Sequence, residues 1–291
     1  MVEEVHKYVS YDHVLLSECV DNTEALGTDW LFRGQPDAPI SSSLERETQR
    51  LKNAEPAAYE ANTLKQIKLV SSYPECWDLE GKDDFSWLAL LQHYGCRTRL
   101  VDFTESFYVA LYFAIRDLPC EKPDGVEGDS AVWAIKRSAL DGEMYSLNED
   151  LSDEELPRRL LNNALELPER YEDSPDSRLA VVYCRPEKPN LRMIAQQGIF
   201  LAPLNLKHSF QENLVKGLKL SSMEAPTKHI ETPQQLQEAS KQAKVIKIRV
   251  PQIQHRSLLF HLKRMNMSEA TLFPGLDGYA RSLNYYAVGM E

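Results

Sequence analysis

The sequence predicts an α+β fold: small, mostly antiparallel sheets with helices inserted between the strands. Three observations predict it. Short apolar runs of strand length recur near residues 30, 131, 180, 198 and 247. The segments between them carry apolar residues at the three- and four-residue spacings of a helix. The 291 residues, 43 % hydrophobic and 26 % charged, have the balance of a globular chain holding one large domain or two small ones.

Taken in order, residues 1–27 read as an N-terminal helical segment and a turn, with Val14, Leu15, Leu16, Cys19 and Val20 as a buried stripe. Residues 28–291 then read as a single domain. Residues 30–32 form a strand ended by Arg33, Gly34 and Gln35, with Pro36 forcing a turn. Ser41, Ser42 and Ser43 can cap a helix starting near Leu44, where Arg46 is read as a surface or structural residue. Tyr59, Leu64, Ile67 and Val70 mark an amphipathic helix that Pro74 ends, and Asp84 is the expected N-cap of the next one. Residues 131–136 and 179–184 are strands, separated by an acidic, partly helical insertion at 138–176 that is expected to be a lid or a partner surface. Residues 194–201 form another strand, and 245–250 a strand near an edge. A helix through Leu258, Leu259 and Leu262 follows, and then a final helix after the turn at 272–278.

The least generic stretch runs from Phe85 to Asp117. Two segments apolar on nearly all sides, hence buried, flank a polar crossing with Arg97, Thr98, Arg99, Asp102, Thr104, Glu105 and Ser106. Charged groups at such a crossing need a partner or a ligand. Arg99 and Asp102 can pair with each other, with Thr104 and Ser106 capping the second helix. The same geometry can instead seat an anion or a ribose at a helix N-terminus. His93, in the last turn before the C-cap Gly95, is either a dipole partner or, with Gln92 and Tyr94, a nucleotide contact. Arg33 offers a planar fork for phosphate, and Gly34 permits close approach to the backbone.

The net charge of -11 argues against nonspecific nucleic-acid binding. No apolar run reaches eighteen residues, and the acidic start is unlike a secretory signal. Five scattered cysteines without a CxxC predict neither disulfide framework nor structural zinc, and a cytoplasmic setting without membrane contact. No repeat, G-x-G-x-x-G or phosphate-loop pattern occurs.

Together with Phe32, Arg33 and Gly34, the block LALLQHYGCRTRLVDFTESFYVALYFA resembles the FRG domain, a family named for its Phe-Arg-Gly triplet. The likeness rests on Gln92, His93, Tyr94 and Gly95, then Thr98, Arg99, Leu100, Asp102, Thr104 and Ser106, then Ala110, Leu111, Phe113 and Ala114. Arg97 stands where the family commonly has Pro, and Phe103 where it often has Trp. Further echoes at Leu44 and Arg46, at Gln197-Gly198, and at Leu272-Phe273-Pro274 extend it over residues 30–283.

The order of Arg-Gly, then Thr-x-Ser, then late Gln or Glu is also similar to the Arg-Ser-Glu class of ADP-ribosyltransferases. That resemblance implies an ADP-ribosyltransferase-like fold with NAD as substrate. It implies a toxin or defence effector that modifies an unknown macromolecule, protein or nucleic acid. It marks Arg33, Thr104, Ser106 and Glu269 for catalysis. For NAD it marks Arg33, Gly34, Gln35, His93, Tyr94, Arg99, Asp102 and Gln197. Gly198 stands where the class has its catalytic Glu, which leaves Glu269, Asp277 or Glu105 to supply the carboxylate. Two other readings stay open: a non-catalytic nucleotide or nucleic-acid binding module using Arg33, Arg99 and Tyr94, and a scaffold in which every polar residue is a cap or a salt bridge.

Overall fold

The strand-length runs all enter one sheet. A computed structural model describes residues 8–11, 26–52, 54–70, 73–77, 79, 81–117, 128–146, 155–172, 179–224 and 228–283. Among them are fourteen helices and eight strands: β1 (Tyr8–Tyr11), β2 (Trp30–Pro36), β3 (Val101–Thr104), β4 (Ser130–Lys136), β5 (Val181–Cys184), β6 (Gly198–Pro203), β7 (Lys228–Ile230) and β8 (Val245–Val250). The fold is α+β, with strand order β5-β6-β3-β2-β4-β8-β1-β7.

Several expectations are corrected here. There is one sheet rather than several small ones, and it is mixed rather than mostly antiparallel: β1 runs parallel to both β7 and β8. The cause is the N-terminal segment. Part of the stretch read as helix and turn is instead a strand wedged between two C-terminal strands; the stripe from Val14 to Val20 lies outside the described residues. That wedge makes β8 an interior strand, and three-residue β7 becomes the edge. β2 does not stop at Arg33: it pairs with β4 as far as Pro36 opposite Ser130. The polar crossing contains β3, whose Val101 and Phe103 are buried. Residues 194 and 195, read as the start of a strand, belong instead to a short helix, Leu191–Ala195, before β6.

Alternation along the strands divides the interior into two cores. Leu31, Trp133 and Ile135 face one; Trp30, Phe32, Val132 and Ala134 face the other. The Asp84–His93 helix fills the first core through Phe85, Trp87 and Leu88. The Phe107–Ile115 helix fills the second, with seven buried residues. The two apolar helices of the central stretch therefore lie on opposite faces, and β3 carries the chain between them. The acidic insertion is not a free lid: Leu156, Leu160, Leu161 and Ala164 bury in the first core. Parts of it, 147–154 and 173–178, lie outside the described residues.

Local signals set the helix ends. Ser42 accepts from the Glu45 amide at 3.0 Å. Asp83, rather than Asp84, caps the Asp84–His93 helix by accepting from the Ser86 amide at 3.1 Å. Gly95, at φ +85°, ends it. Asp83 also accepts from Arg158, from Asn162 at 2.6 Å and from the Ser86 hydroxyl at 2.6 Å, tying the insertion to the helix start. No helix among the described residues is long and apolar enough to cross a membrane.

Gly34 is held by packing. A Cβ there would stand 1.6 Å from the Ala110 carbonyl oxygen and 2.6 Å from the Ala114 amide. Gly34→Ala should lower unfolding free energy by about 3 kcal/mol or more, read by urea denaturation. Asp83 gives a pH signature. Burial by itself would raise its carboxyl, but donors from Arg158, Ser86 and Asn162 outweigh that and hold it at about 2, against an ordinary 3.8. The unfolded chain binds the proton first, so this contribution is complete above roughly pH 4 and fades toward pH 2. Asp83→Asn should remove on the order of 2 kcal/mol at neutral pH and flatten the profile in that acid window.

Candidate functional site

β2 and β3 share a single backbone pair, Phe32 opposite Thr104. Beyond it the strands part, and side chains take over from the ladder. Arg33 Nη1 donates to the Asp102 carbonyl at 2.7 Å, and its Nε donates to Gln35 Oε1 at 2.9 Å. Gln35 is fixed in turn by donating to the Ala38 carbonyl at 2.7 Å. From the first core's side, Gln92 Nε2 donates to Asp102 Oδ2 at 3.1 Å. The Thr98 hydroxyl donates to Gln92 Oε1, while the Thr98 amide donates to Ser43 Oγ at 3.1 Å. The Phe-Arg-Gly strand, the end of the Gln-His helix and the Thr-Arg…Asp segment thus close one network.

Two cavities flank it. One, of about 160 Å³, is lined by Arg33, Arg46, Arg97, Ser41, Ser43 and Asp102. The other, of about 270 Å³, is lined by His93, Asn190, Arg192, Gln196, Phe103 and Phe200. Gln92 and Asp102 line both. Burial lowers the Arg33 pKa; the Asp102 carboxylate opposes this, and Arg46 adds to it. Arg46 is steadied by donating to the Ser41 carbonyl at 2.7 Å. Burial lowers the His93 pKa, as does Arg192, while Asp277 opposes them. A neutral ring suits its neighbour, since Asn190 Nδ2 lies 3.2 Å from His93 Nδ1. Burial raises the Cys96 thiol. Among the described residues no group of His, Cys, Asp and Glu could hold a metal ion.

Of the residues marked from sequence, Arg33, Gln35, His93 and Asp102 meet around this groove. Tyr94 follows His93 but is 63 % exposed. Gly34 faces the Phe107–Ile115 helix, so what approaches its backbone is protein. Arg99 does not pair with Asp102. It is 2 % exposed and pairs with the equally buried Glu60 of the Pro56–Lys68 helix at 2.5 Å, two residues before β3 begins. Thr104 Oγ1 donates to the Gln196 carbonyl at 2.7 Å and accepts from the Ser106 amide at 3.0 Å. Ser106 caps the helix by accepting from the Val109 amide at 3.3 Å. Neither hydroxyl lines one of these cavities. The Gln197 backbone, at φ +47°, turns its carbonyl to the Glu105 amide.

The carboxylates lie elsewhere. Glu269 accepts from Tyr112 at 2.7 Å and Arg281 at 2.8 Å, and lines a separate cavity of about 660 Å³. Glu105 sits between Arg137 and Arg185; burial opposes its charge, but those two donors hold its pKa down. Asp277 pairs with Arg281 at 3.2 Å. Gly198 stands opposite Thr104. Arg33, Thr104, Ser106 and Glu269 therefore do not share one cavity.

Sequence reasoning missed Asn190 and Arg192, and read Gln196 only as the first position of the late Gln-or-Glu pattern. The signal was present: Asn190 is an N-cap, accepting from the Met193 amide at 2.8 Å, and a Gly follows at 198. With a helix there, Arg192 and Gln196 fall four apart, on one face.

Residues 28–122 match the FRG domain, about a third of the 291-residue chain. The chain carries an FRG domain over that span, which includes β2, β3 and both apolar helices but ends before β4. No curated protein and no solved structure matches the chain.

Glu60→Ala should cost about 3–5 kcal/mol in urea unfolding, because it strands a buried guanidinium, whereas Asp102→Ala, at an exposed carboxylate, should cost far less.

Proposed function

We propose that the groove binds a nucleotide, with a phosphate in the smaller cavity. The observation that carries this is the charge there: three guanidinium groups, Arg33, Arg46 and Arg97, face one carboxylate, Asp102, in a chain of net charge -11. Arg33 is pre-oriented by Gln35 and by the Asp102 carbonyl, which reduces the entropy cost of gripping a phosphate. The larger cavity adds amides from Gln92, Asn190 and Gln196, a neutral His93 and the walls of Phe103 and Phe200. That mix suits a sugar and a base. A cytoplasmic setting goes with this reading, supported by the free thiols of Cys76, Cys96 and Cys184.

A second reading, of an ADP-ribosyltransferase-like fold transferring ADP-ribose from NAD to a protein or nucleic acid as a toxin or defence effector, has one observation in its favour. Asp102 is an exposed carboxylate beside Arg33 and lines both cavities, where it could face the cationic sugar of a breaking glycosidic bond. Thr104, Ser106 and Glu269, the residues of the sequence likeness, give it no support, since their polar atoms are engaged away from the groove.

Calorimetric titration with AMP tests the first reading. Wild type should bind, and Arg33→Gln should weaken binding roughly tenfold to a hundredfold while unfolding cooperatively. Equal affinity in the two proteins would overturn it. Labelled NAD with cell lysate tests the second: transfer should require both Arg33 and Asp102, and label that survives Asp102→Asn would remove its one support.

A further inference from the structure

Three arginines crowd the ring of Phe273. The guanidinium carbon of Arg192 lies 4.6 Å from its centroid, that of Arg281 5.0 Å and that of Arg116 5.4 Å. Two have acids. Arg281 pairs with Glu269 at 2.8 Å and Asp277 at 3.2 Å. Arg116 pairs with Asp117 at 3.5 Å and Glu269 at 3.7 Å. The Arg192 side chain has neither an ion pair nor a hydrogen bond among the described residues. It is half-buried and lines the 270 Å³ cavity beside His93, Asn190 and Gln196. Burial lowers its pKa; the Asp102 carboxylate pulls the other way, and Arg116 and Arg281 add to the lowering. A guanidinium desolvated this far, with five N–H donors and no acceptor, is an incomplete pair. Glu75 and Glu187 also line that cavity, and neither pairs with it.

Asp102 then stands between Arg33 and Arg192. Its carbonyl takes Arg33, its carboxylate takes Gln92, and its charge acts on both Arg33 and Arg192. A carboxylate repels a phosphate placed against it but accepts readily from a sugar hydroxyl. We propose that Arg192 is a second anion anchor of the groove, so that the ligand is a nucleotide with phosphates on two different positions of its sugar, of the nucleoside 3′,5′-bisphosphate kind. The proposal rests on the nucleotide reading above. A pyrophosphate, with its two phosphates adjacent, would load one end only.

The test titrates the full chain with AMP, ADP and adenosine 3′,5′-bisphosphate. Wild type should bind the bisphosphate about tenfold more tightly than either AMP or ADP, the size of one added charge-assisted contact. Arg192→Gln should abolish that preference, leaving bisphosphate and AMP affinities within about twofold of each other. Equal binding of bisphosphate and ADP by wild type overturns the second anchor and leaves the nucleotide reading standing; so does a preference that survives Arg192→Gln. Failure of AMP and the bisphosphate alike to bind wild type overturns the nucleotide reading, and this proposal with it. The wild-type comparison of ADP with the bisphosphate decides the matter even where the variant does not fold.

Discussion

The parting of β2 from β3 after one backbone pair governs the chemistry of this molecule. Inside a sheet every backbone group needs a partner. The Asp102 carbonyl finds one in the Arg33 guanidinium at 2.7 Å. That substitution wedges a charged side chain into the sheet and opens it toward the first core only. On the opposite face Gly34 admits the Phe107–Ile115 helix so closely that no side chain fits between them. Farther along the chain before β3, the buried Arg99–Glu60 pair fixes the approach of the strand. A cleft opened on one face and sealed on the other is a rigid place to hold a ligand, because neither wall can relax without breaking a close-packed contact.

Two groups of arginines are set apart by what answers them. Arg99, Arg137, Arg158, Arg185 and Arg281 face carboxylates. Arg33, Arg46, Arg97 and Arg192 have no ion pair among the described residues; they rest on carbonyls, a hydroxyl, solvent or a ring. All four of the second group line the two cavities. In a chain with eleven excess negative charges, acids were available to neutralise them. At the smaller cavity, where Asp102 is the one carboxylate among the lining residues, this leaves a local positive field, which attracts anions whatever the overall charge.

Much of this was legible where the physics is local. The two apolar helices, Ser42 and Ser106 as caps, Gly95 as a stop and the strands at 30, 131, 181, 198 and 245 all follow from periodicity and capping. β1 and β7 were not, because four- and three-residue strands carry no period and gain their identity from distant partners. β3 hid inside a polar crossing, since Asp102 and Thr104 masked the alternation of Val101 and Phe103. At the site, residue type outran residue role. Thr104 reads as a helix cap or a ligand's hydroxyl until the Gln196 carbonyl, 92 positions on, accepts its hydrogen bond. Gly34 reads the same whether a ligand or a helix approaches it. Arg192 reads as one surface charge among many until Phe273, 81 positions later, is set beneath it.

Asp102 is the element that makes the groove more than a patch of cations. Four arginines without it would accept any small anion, inorganic phosphate included. With a carboxylate lining both cavities, a bare anion gains from the guanidinium groups and loses to the like charge. A ligand escapes that loss by presenting a hydroxyl at the middle and its anionic groups at the ends. Gln92 supports this division, because Thr98 takes its oxygen and Asp102 takes its amide hydrogen, leaving the carboxylate aimed and only partly satisfied. On the nucleotide reading, then, the arginines supply affinity and Asp102 supplies selection. On that reading Asp102, carried by β3, discriminates between ligands by repulsion as well as by attraction.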